Sequence, residues 1–220
     1  MTKQERANKA QAHYEDIKTR LAADTKLSIE RTYEYGPNSF PQSREEVIQK
    51  PSFTLIDMDS VSCLFNLPME NGGRVAILNY ASYKHPGGYF LGGSPAQEEA
   101  LCHESNLYPI ILAFDDTYYA WNKQRLNRAL YLDRALYSPD VVFEKDGKQK
   151  KVDVITCAAP NYRTAHRYQQ VSLAENNRVF ENRVKFMYSI AEENGVDNLI
   201  AGAWVVVFLC KIHQRSQPCS

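Results

Sequence analysis

The sequence predicts an α/β domain built on a mixed sheet, and three observations carry that reading. Compact apolar runs of strand length alternate with stretches of helical periodicity. One pair of runs is joined by Asp146-Gly147, the dipeptide of a tight antiparallel hairpin, so the sheet is mixed. The chain has 220 residues, 44% hydrophobic and 24% charged, the make-up of one globular unit with a short appendage. That length buries a core without disulfide or metal staples.

Each element has a local cause. Thr2-Lys-Gln-Glu forms a capping box and opens a helix. Ala7, Ala10, Tyr14, Ile17 and Leu21 then recur at three- and four-residue steps, a thin stripe suited to packing on the domain surface. Residues 35–43 read as a Gly/Pro/Ser connector. Ser43-Arg-Glu-Glu caps a short helix that must stop near Pro51. Phe53–Ile56 and Arg74–Asn79 read as buried strands. Between them lie a helical turn over Val61–Leu67 and a turn at Asn71–Gly73. Val141–Phe143 and Val152–Ile155 are the hairpin strands. Ser172 caps a long helix whose face is Phe180, Val184, Met187 and Ala191, and Asn194-Gly195 ends it. Asp197–Trp204 reads as a last buried strand. Residues 1–50 are therefore a helical extension, 51–204 the core and 205–220 a tail.

Charge and cysteines exclude several classes. Lys+Arg and Asp+Glu both number 26, which argues against a broad grip on nucleic acid or anionic lipid. The longest apolar run, Leu199–Cys210, is too short to span a bilayer. The N-terminus has no apolar segment of the kind a secretory signal needs. The five cysteines are scattered without a C-x-x-C pair, so no zinc ribbon or dithiol motif is supported and no metal is expected. The expected setting is reducing and cytoplasmic, and the expected state is a monomer.

The chemistry concentrates between Asn79 and Tyr108. A buried strand ends at Asn79, and a loop with glycines at 87, 88, 92 and 93 follows. Ser94-Pro-Ala-Gln97 then offers an N-cap, a proline and a glutamine at the third helical position. Loops at the carboxyl ends of strands are where open α/β sheets bind ligands, and glycines admit a phosphate close to backbone amides. Such turns also occur without any ligand, and this one matches neither the dinucleotide fingerprint nor the P-loop. Glu98 and Glu99 fall in the helix's first turn. There they either complement the helix dipole or serve as an acid and a ligand for a sugar. Neighbouring helical residues point about 100° apart, so the two cannot share one task equally.

This stretch resembles the microbial-type poly(ADP-ribose) glycohydrolase family. That family has a glycine loop, six to eight residues, then Gln-Glu-Glu; here Gly87-Gly88-Tyr89 is followed after seven residues by Gln97-Glu98-Glu99. Asn79-Tyr-Ala-Ser and Ala100–Tyr108 resemble the flanks, and Cys157–Asn161 and Gly202–Trp204 resemble two later segments. The likeness runs from about residue 5 to residue 204. It implies a macrodomain fold, hydrolysis of the ribose–ribose O-glycosidic bond, release of ADP-ribose, and no metal or organic cofactor. It also implies that Glu99 is the catalytic acid/base, that Glu98 helps hold a ribose hydroxyl, and that Asn79 binds the distal ribose. Gly87 and Gly88 would meet the diphosphate, with Tyr89 and Gln97 beside the substrate. A neutral Glu99 would protonate the leaving oxygen and then activate water. Burial and a neighbouring carboxylate favour the neutral acid, whereas the helix dipole opposes it. A binding module that holds ADP-ribose without cleaving it, or a truncated inactive product, are the alternatives.

Two departures from the family stand out. Tyr89 occupies the place of a third glycine, where it either stacks on or walls off substrate, or simply packs the loop with Phe90. Past Trp204 the family continues Gly-x-Gly-x-Phe, but here the chain reads Val205-Val-Val-Phe-Leu-Cys210 and a polar tail. Codons for Gly-Cys-Gly-Val-Phe, such as GGT TGT GGT GTT TTT, spell Val-Val-Val-Phe when read one base later. A frame shift after Trp204 explains the segment, and so does a genuinely divergent strand; either leaves the C-terminal part of the fold cut short. His85, His103, Cys102 and the aromatic run Tyr118–Trp121 are read as packing or loop residues, and Lys148–Lys151 as a solvated edge.

Overall fold

Five strands make one sheet in the computed structural model, which describes residues 1–37, 54–66 and 73–202. They are β1 (Tyr33–Tyr35), β2 (Val75–Tyr80), β3 (Ala135–Lys145), β4 (Lys148–Cys157) and β5 (Asn198–Ile200). The spatial order is β1-β3-β4-β2-β5. β1 and β4 run antiparallel to β3, whereas β2 runs parallel to both β4 and β5. The mixed α/β sheet is thus as expected. Successive residues of β2 point to opposite faces. Ile77 joins a cluster with Phe90, Leu101 and Val154 on one side, while Ala76 and Leu78 meet Val184, Met187 and Ile190 on the other.

Helices α1 (Lys3–Arg20), α2 (Ala22–Arg31), α3 (Ser60–Asn66), α4 (Gln97–His103) and α5 (Leu107–Leu112) come before the hairpin. After a π-helical turn at Asp115–Tyr119 comes α6 (Ala120–Lys123), and after the hairpin come α7 (Tyr162–Gln169) and α8 (Leu173–Glu193). The Thr2 capping box is present, with Glu5 as its reciprocal partner. Ala10, Ile17 and Leu21 are buried along the α1 stripe. Ser28 Oγ donates to the Pro139 carbonyl oxygen at 2.7 Å, which ties α2 to β3. Ser172 caps α8, Asn194 ends it, and Gly195 follows with φ +66°.

The hairpin turns at Asp146-Gly147, both with positive φ as a two-residue turn requires. Its strands are longer than the apolar runs suggested. β3 passes through Pro139 because a bulge between Ser138 and Val141 removes the need for a ladder amide there. Asp140 takes φ +56° in that bulge, and its N–H donates to Asp153 Oδ1 at 3.0 Å.

Other expectations are corrected. Thr54–Ile56 is not a strand; it has no sheet partner among the described residues and Leu55 is exposed, so β propensity has no neighbour there to pack against. Tyr35, read as the start of a connector, ends the edge strand β1 instead. The last strand is only Asn198–Ile200 in length, and Ala201 and Gly202 continue without ladder bonds. Phe53, the connector beyond residue 37, the Ser43 capping box, Leu67, Asn71, Gly72 and everything from residue 203 lie outside the described residues. Among the described residues no helix is long and apolar enough to cross a membrane.

Candidate active site

Gln97 shows how the site is assembled. β5 pairs with β2 only up to Ile77, so the backbone of β2 beyond that point faces no strand on this side among the described residues. The Gln97 side chain takes the vacant place. Its Nε2 donates to the Leu78 carbonyl oxygen at 2.9 Å, and its Oε1 accepts from the Tyr80 N–H at 2.9 Å. A side-chain amide here imitates a peptide group and fastens the start of α4 to the end of β2. The helix therefore begins later than expected: Ala96, not Ser94, is its N-cap, and it makes no side-chain cap bond.

This fastening brings Glu98 and Glu99 to the carboxyl end of β2. Both are buried, 3% and 5% exposed. They are anchored from different directions. Glu98 Oε2 accepts from the Ser82 N–H at 2.7 Å, and Oε1 accepts from Asn79 Nδ2 at 3.3 Å. Glu99 Oε1 accepts from the Tyr89 N–H at 2.9 Å, while Glu99 Oε2 is buried with no hydrogen-bond partner among the described residues. Burial pushes the Glu98 carboxyl up to about 8, and the neighbouring Glu99 charge adds to the rise. The Ser82 and Gly87 amides and Asn79 oppose that rise without cancelling it. Glu98 is therefore mostly neutral at pH 7.

Asn79 is completely buried on β2 opposite Thr156 of β4, whose Oγ1 also accepts from Asn79 Nδ2 at 3.3 Å. Asn79 Oδ1, like Glu99 Oε2, is buried without a hydrogen-bond partner among the described residues. Two buried oxygens thus remain without a partner among the described residues, and a buried polar atom left unpaired is unfavourable unless a ligand pairs it.

The glycine loop forms the opposite wall. Gly88 has φ +60°, and a Cβ there would lie 2.6 Å from Glu99 Oε1 and 3.1 Å from Glu98 Oε2. Both carboxyl groups therefore border one side-chain-free stretch of backbone. Gly87 has φ +68°, and its Cβ would strike the Tyr108 ring at 2.5 Å. The Gly88 amide is turned back onto the His85 carbonyl oxygen at 3.1 Å, so this glycine offers a bare surface more than a free donor. α1 braces the loop from behind: Arg6 Nε donates to the Gly93 carbonyl oxygen at 2.8 Å.

The expected site residues Asn79, Gly87, Gly88, Tyr89, Gln97, Glu98 and Glu99 are brought together. Cys102 is fully buried behind them, and burial raises its thiol well above the ordinary range. His103 packs edge-on against Phe90 at 4.8 Å, and burial holds its imidazole below the usual value. Tyr118 and Tyr119 are core residues, and Trp121 packs under the Arg125 and Arg134 guanidinium groups. Ser82, Thr156 and Arg6 were missed. Ser82 acts through its backbone and Arg6 through a long-range contact. Only the β2–β4 register could have revealed Thr156. Among the described residues no group of three or more His, Cys, Asp or Glu is placed to hold a metal ion.

Fold and site together define an α/β domain that presents a buried carboxyl pair and a glycine wall at the end of its parallel strands, the position such sheets use for ligands. The chain belongs to the family of microbial-type poly(ADP-ribose) glycohydrolase (PARG) catalytic domains, whose model matches residues 3–146. It is similar to the crystal structure of PARG from Thermomonospora curvata, with a TM-score of 0.82 and 27% identity over 91% of this chain and 80% of that one. The T. curvata enzyme bound to the inhibitor ADP-HPD gives a TM-score of 0.79 at 27% identity, over 91% and 79% of the two chains. PARG from Deinococcus radiodurans in complex with ADP-ribose gives 0.74 at 28% identity, over 82% and 76%. No curated protein matches the chain.

Proposed function

We propose that the protein hydrolyses the ribose–ribose O-glycosidic bond of poly(ADP-ribose) and releases ADP-ribose, with Glu99 as the proton carrier. The observation that carries this reading is the buried carboxyl of Glu99, whose Oε1 borders the bare Gly88 backbone and whose Oε2 has no hydrogen-bond partner among the described residues. Glu98 has both oxygens engaged, whereas Glu99 keeps one for substrate.

In the reaction, Glu99 Oε2 gives its proton to the bridging oxygen as the anomeric C–O bond breaks. The remaining chain leaves with a free hydroxyl. Positive charge spreads over the ring oxygen and anomeric carbon of the departing ADP-ribose unit. A water then attacks that carbon and returns a proton to Glu99, so the acid is regenerated and one water is consumed. The mostly neutral Glu98 adds no full negative charge next to Glu99 as it ionises, and the proton it keeps is available to the oxygen of one ribose hydroxyl. Asn79 Oδ1 accepts from a second hydroxyl of the same ribose. The diphosphate crosses the backbone of Gly87 and Gly88, where Tyr108 and the two carboxyl groups leave no room for a side chain. Gln97 positions both acids by holding α4 to β2.

The neutral overall charge supports recognition within one pocket by a monomer, not along a basic surface. Free Cys63, Cys102 and Cys157 support a reducing, cytoplasmic setting. The test is ADP-ribose release from poly(ADP-ribose) by the wild type beside Glu99→Gln. Release by wild type alone supports the assignment. Binding of ADP-ribose without release by either would favour a reader module.

A further inference from the structure

The hold on Glu99 can be traced back to α1. The Gly93–Ser94 peptide unit is engaged on both sides. Its carbonyl oxygen accepts from Arg6 Nε at 2.8 Å, and its N–H donates to the Tyr89 carbonyl oxygen at 3.2 Å. The N–H of Tyr89 in turn donates to Glu99 Oε1 at 2.9 Å. Three hydrogen bonds thus lead from a guanidinium on the N-terminal helix to the carboxyl that carries the proton. The Gly92 N–H also donates to the Tyr89 carbonyl oxygen, at 3.1 Å, so residue 89 is tied to the same turn twice.

The first turn of α1 is shaped for this contact. Arg6 Nη1 donates to the Met1 carbonyl oxygen at 2.8 Å, which holds the guanidinium against its own helix start, and the Thr2 capping box fixes that start. A Cβ on Gly93 would lie 2.3 Å from the Lys3 carbonyl oxygen and 2.9 Å from the Ala7 nitrogen, so helix backbone rests directly on residue 93. Lys3 Nζ, 5.0 Å from the Tyr89 ring centroid, adds a weaker tie between the same two segments. Such an anchor has a purpose here. Four of the seven residues from 87 to 93 are glycines, the residue with the most backbone freedom to lose. Linked hydrogen bonds also polarise and strengthen one another.

We infer that Arg6 is a positioning residue for the reaction: through the Gly93–Ser94 peptide it sets where the Tyr89 amide stands, and so keeps the Glu99 carboxyl in register with the bond it protonates. The inference rests on the proposed function and deepens it. The N-terminal helix is then a working part of the active site and not an appendage to it.

The test measures single-turnover release of ADP-ribose at saturating poly(ADP-ribose), with ADP-ribose affinity and melting temperature taken on each full-length protein. Arg6→Ala should slow release about tenfold while ADP-ribose affinity stays within about twofold, because a small displacement of the acid costs the chemical step more than binding. Arg6→Gln carries an amide nitrogen at the same number of bonds from the backbone as Arg6 Nε, and should bring the rate back to within about threefold of wild type. Arg20→Ala is the control for helix stability. Arg20 closes the other end of α1 and pairs with Asp16 and Glu144, so its loss should leave the release rate within about twofold whatever it does to the melting temperature. A wild-type rate in Arg6→Ala, an equal slowing in Arg20→Ala, no recovery in Arg6→Gln, or a parallel loss of rate and affinity would each overturn the positioning role and leave the proposed function standing. Absence of release by the wild type would instead overturn the proposed function and the positioning role with it.

Discussion

The two walls of the crevice treat adjacent glutamates differently. The end of β2 fills both oxygens of Glu98, through Ser82 and Asn79, and leaves that carboxyl so buried that it is mostly neutral at pH 7. The glycine loop gives Glu99 one bond, from Tyr89, and leaves its other oxygen without a partner. The glycine loop touches both acids, through the Gly87 amide on Glu98 and the Tyr89 amide on Glu99, but only Glu98 gains further partners from Asn79 and Ser82. One helical turn thus supplies a held carboxyl and an available one, and the difference comes from what each meets.

The comparison can be broken from either wall. The largest effect is expected from Glu99→Gln, which keeps the shape and the bond from Tyr89 but removes the proton. ADP-ribose release in single turnover should fall by about 10²–10⁴-fold, the usual worth of a positioned acid/base. Next is Gly88→Ala. Its Cβ would sit 2.6 Å from Glu99 Oε1, at a φ that suits glycine, so both acids must move. We expect release to drop on the order of 100-fold and stability to fall by about 1–2 kcal/mol, read by kinetics and denaturant unfolding.

A third effect is a pH dependence of stability. The Glu98 carboxyl is raised in the folded protein, from 4.5 to about 8. Between those values the unfolded chain has released this proton and the folded chain has kept it. Stability from this group therefore falls as pH rises from about 4.5 to about 8 and is flat beyond. The melting temperature of the wild type should drop on the order of 5–10 °C across that window relative to Glu98→Gln, which lacks the group. Equal slopes for the two proteins would show that Glu98 ionises normally. The smallest effect sharpens the picture of the loop wall. Arg6→Ala removes one bond to the Gly93 carbonyl and should lower stability by about 1 kcal/mol, read as a melting shift of about 2–4 °C.

Legibility followed the same division. The glycine loop could be read because its positive-φ positions, 87, 88 and 93, are glycines and announce themselves. The hairpin was legible for the same reason at Gly147. The stretch after α6 was not. Asn127, Arg128, Ala129 and Tyr131 all take positive φ there without one glycine. Tertiary contacts hold them: Ala129 O accepts from the Asn161 N–H at 2.9 Å, Leu130 is buried with Ala165 and Val171, and Tyr131 stacks on Tyr83 at 4.2 Å. Local propensity cannot report a conformation imposed from elsewhere in the chain. The Gln-Glu-Glu run showed the same limit at finer scale. Its position after a strand and loop marked the site, and the structure brings that run against the loop and the end of β2. That Gln97 would stand in for a strand backbone depended on β5 stopping short of Leu78, which only the sheet reveals. Thr54–Ile56 misled in the opposite direction, because an apolar run is a strand only where a neighbour accepts it.

The most direct test is single-turnover release of ADP-ribose from poly(ADP-ribose) by the wild type and Glu99→Gln, with ADP-ribose affinity measured on both. The account predicts release by the wild type alone, with affinities that agree within about threefold, because Glu99 acts on the transition state more than on the bound ground state. Release by Glu99→Gln at the wild-type rate would contradict it and move the proton to another group.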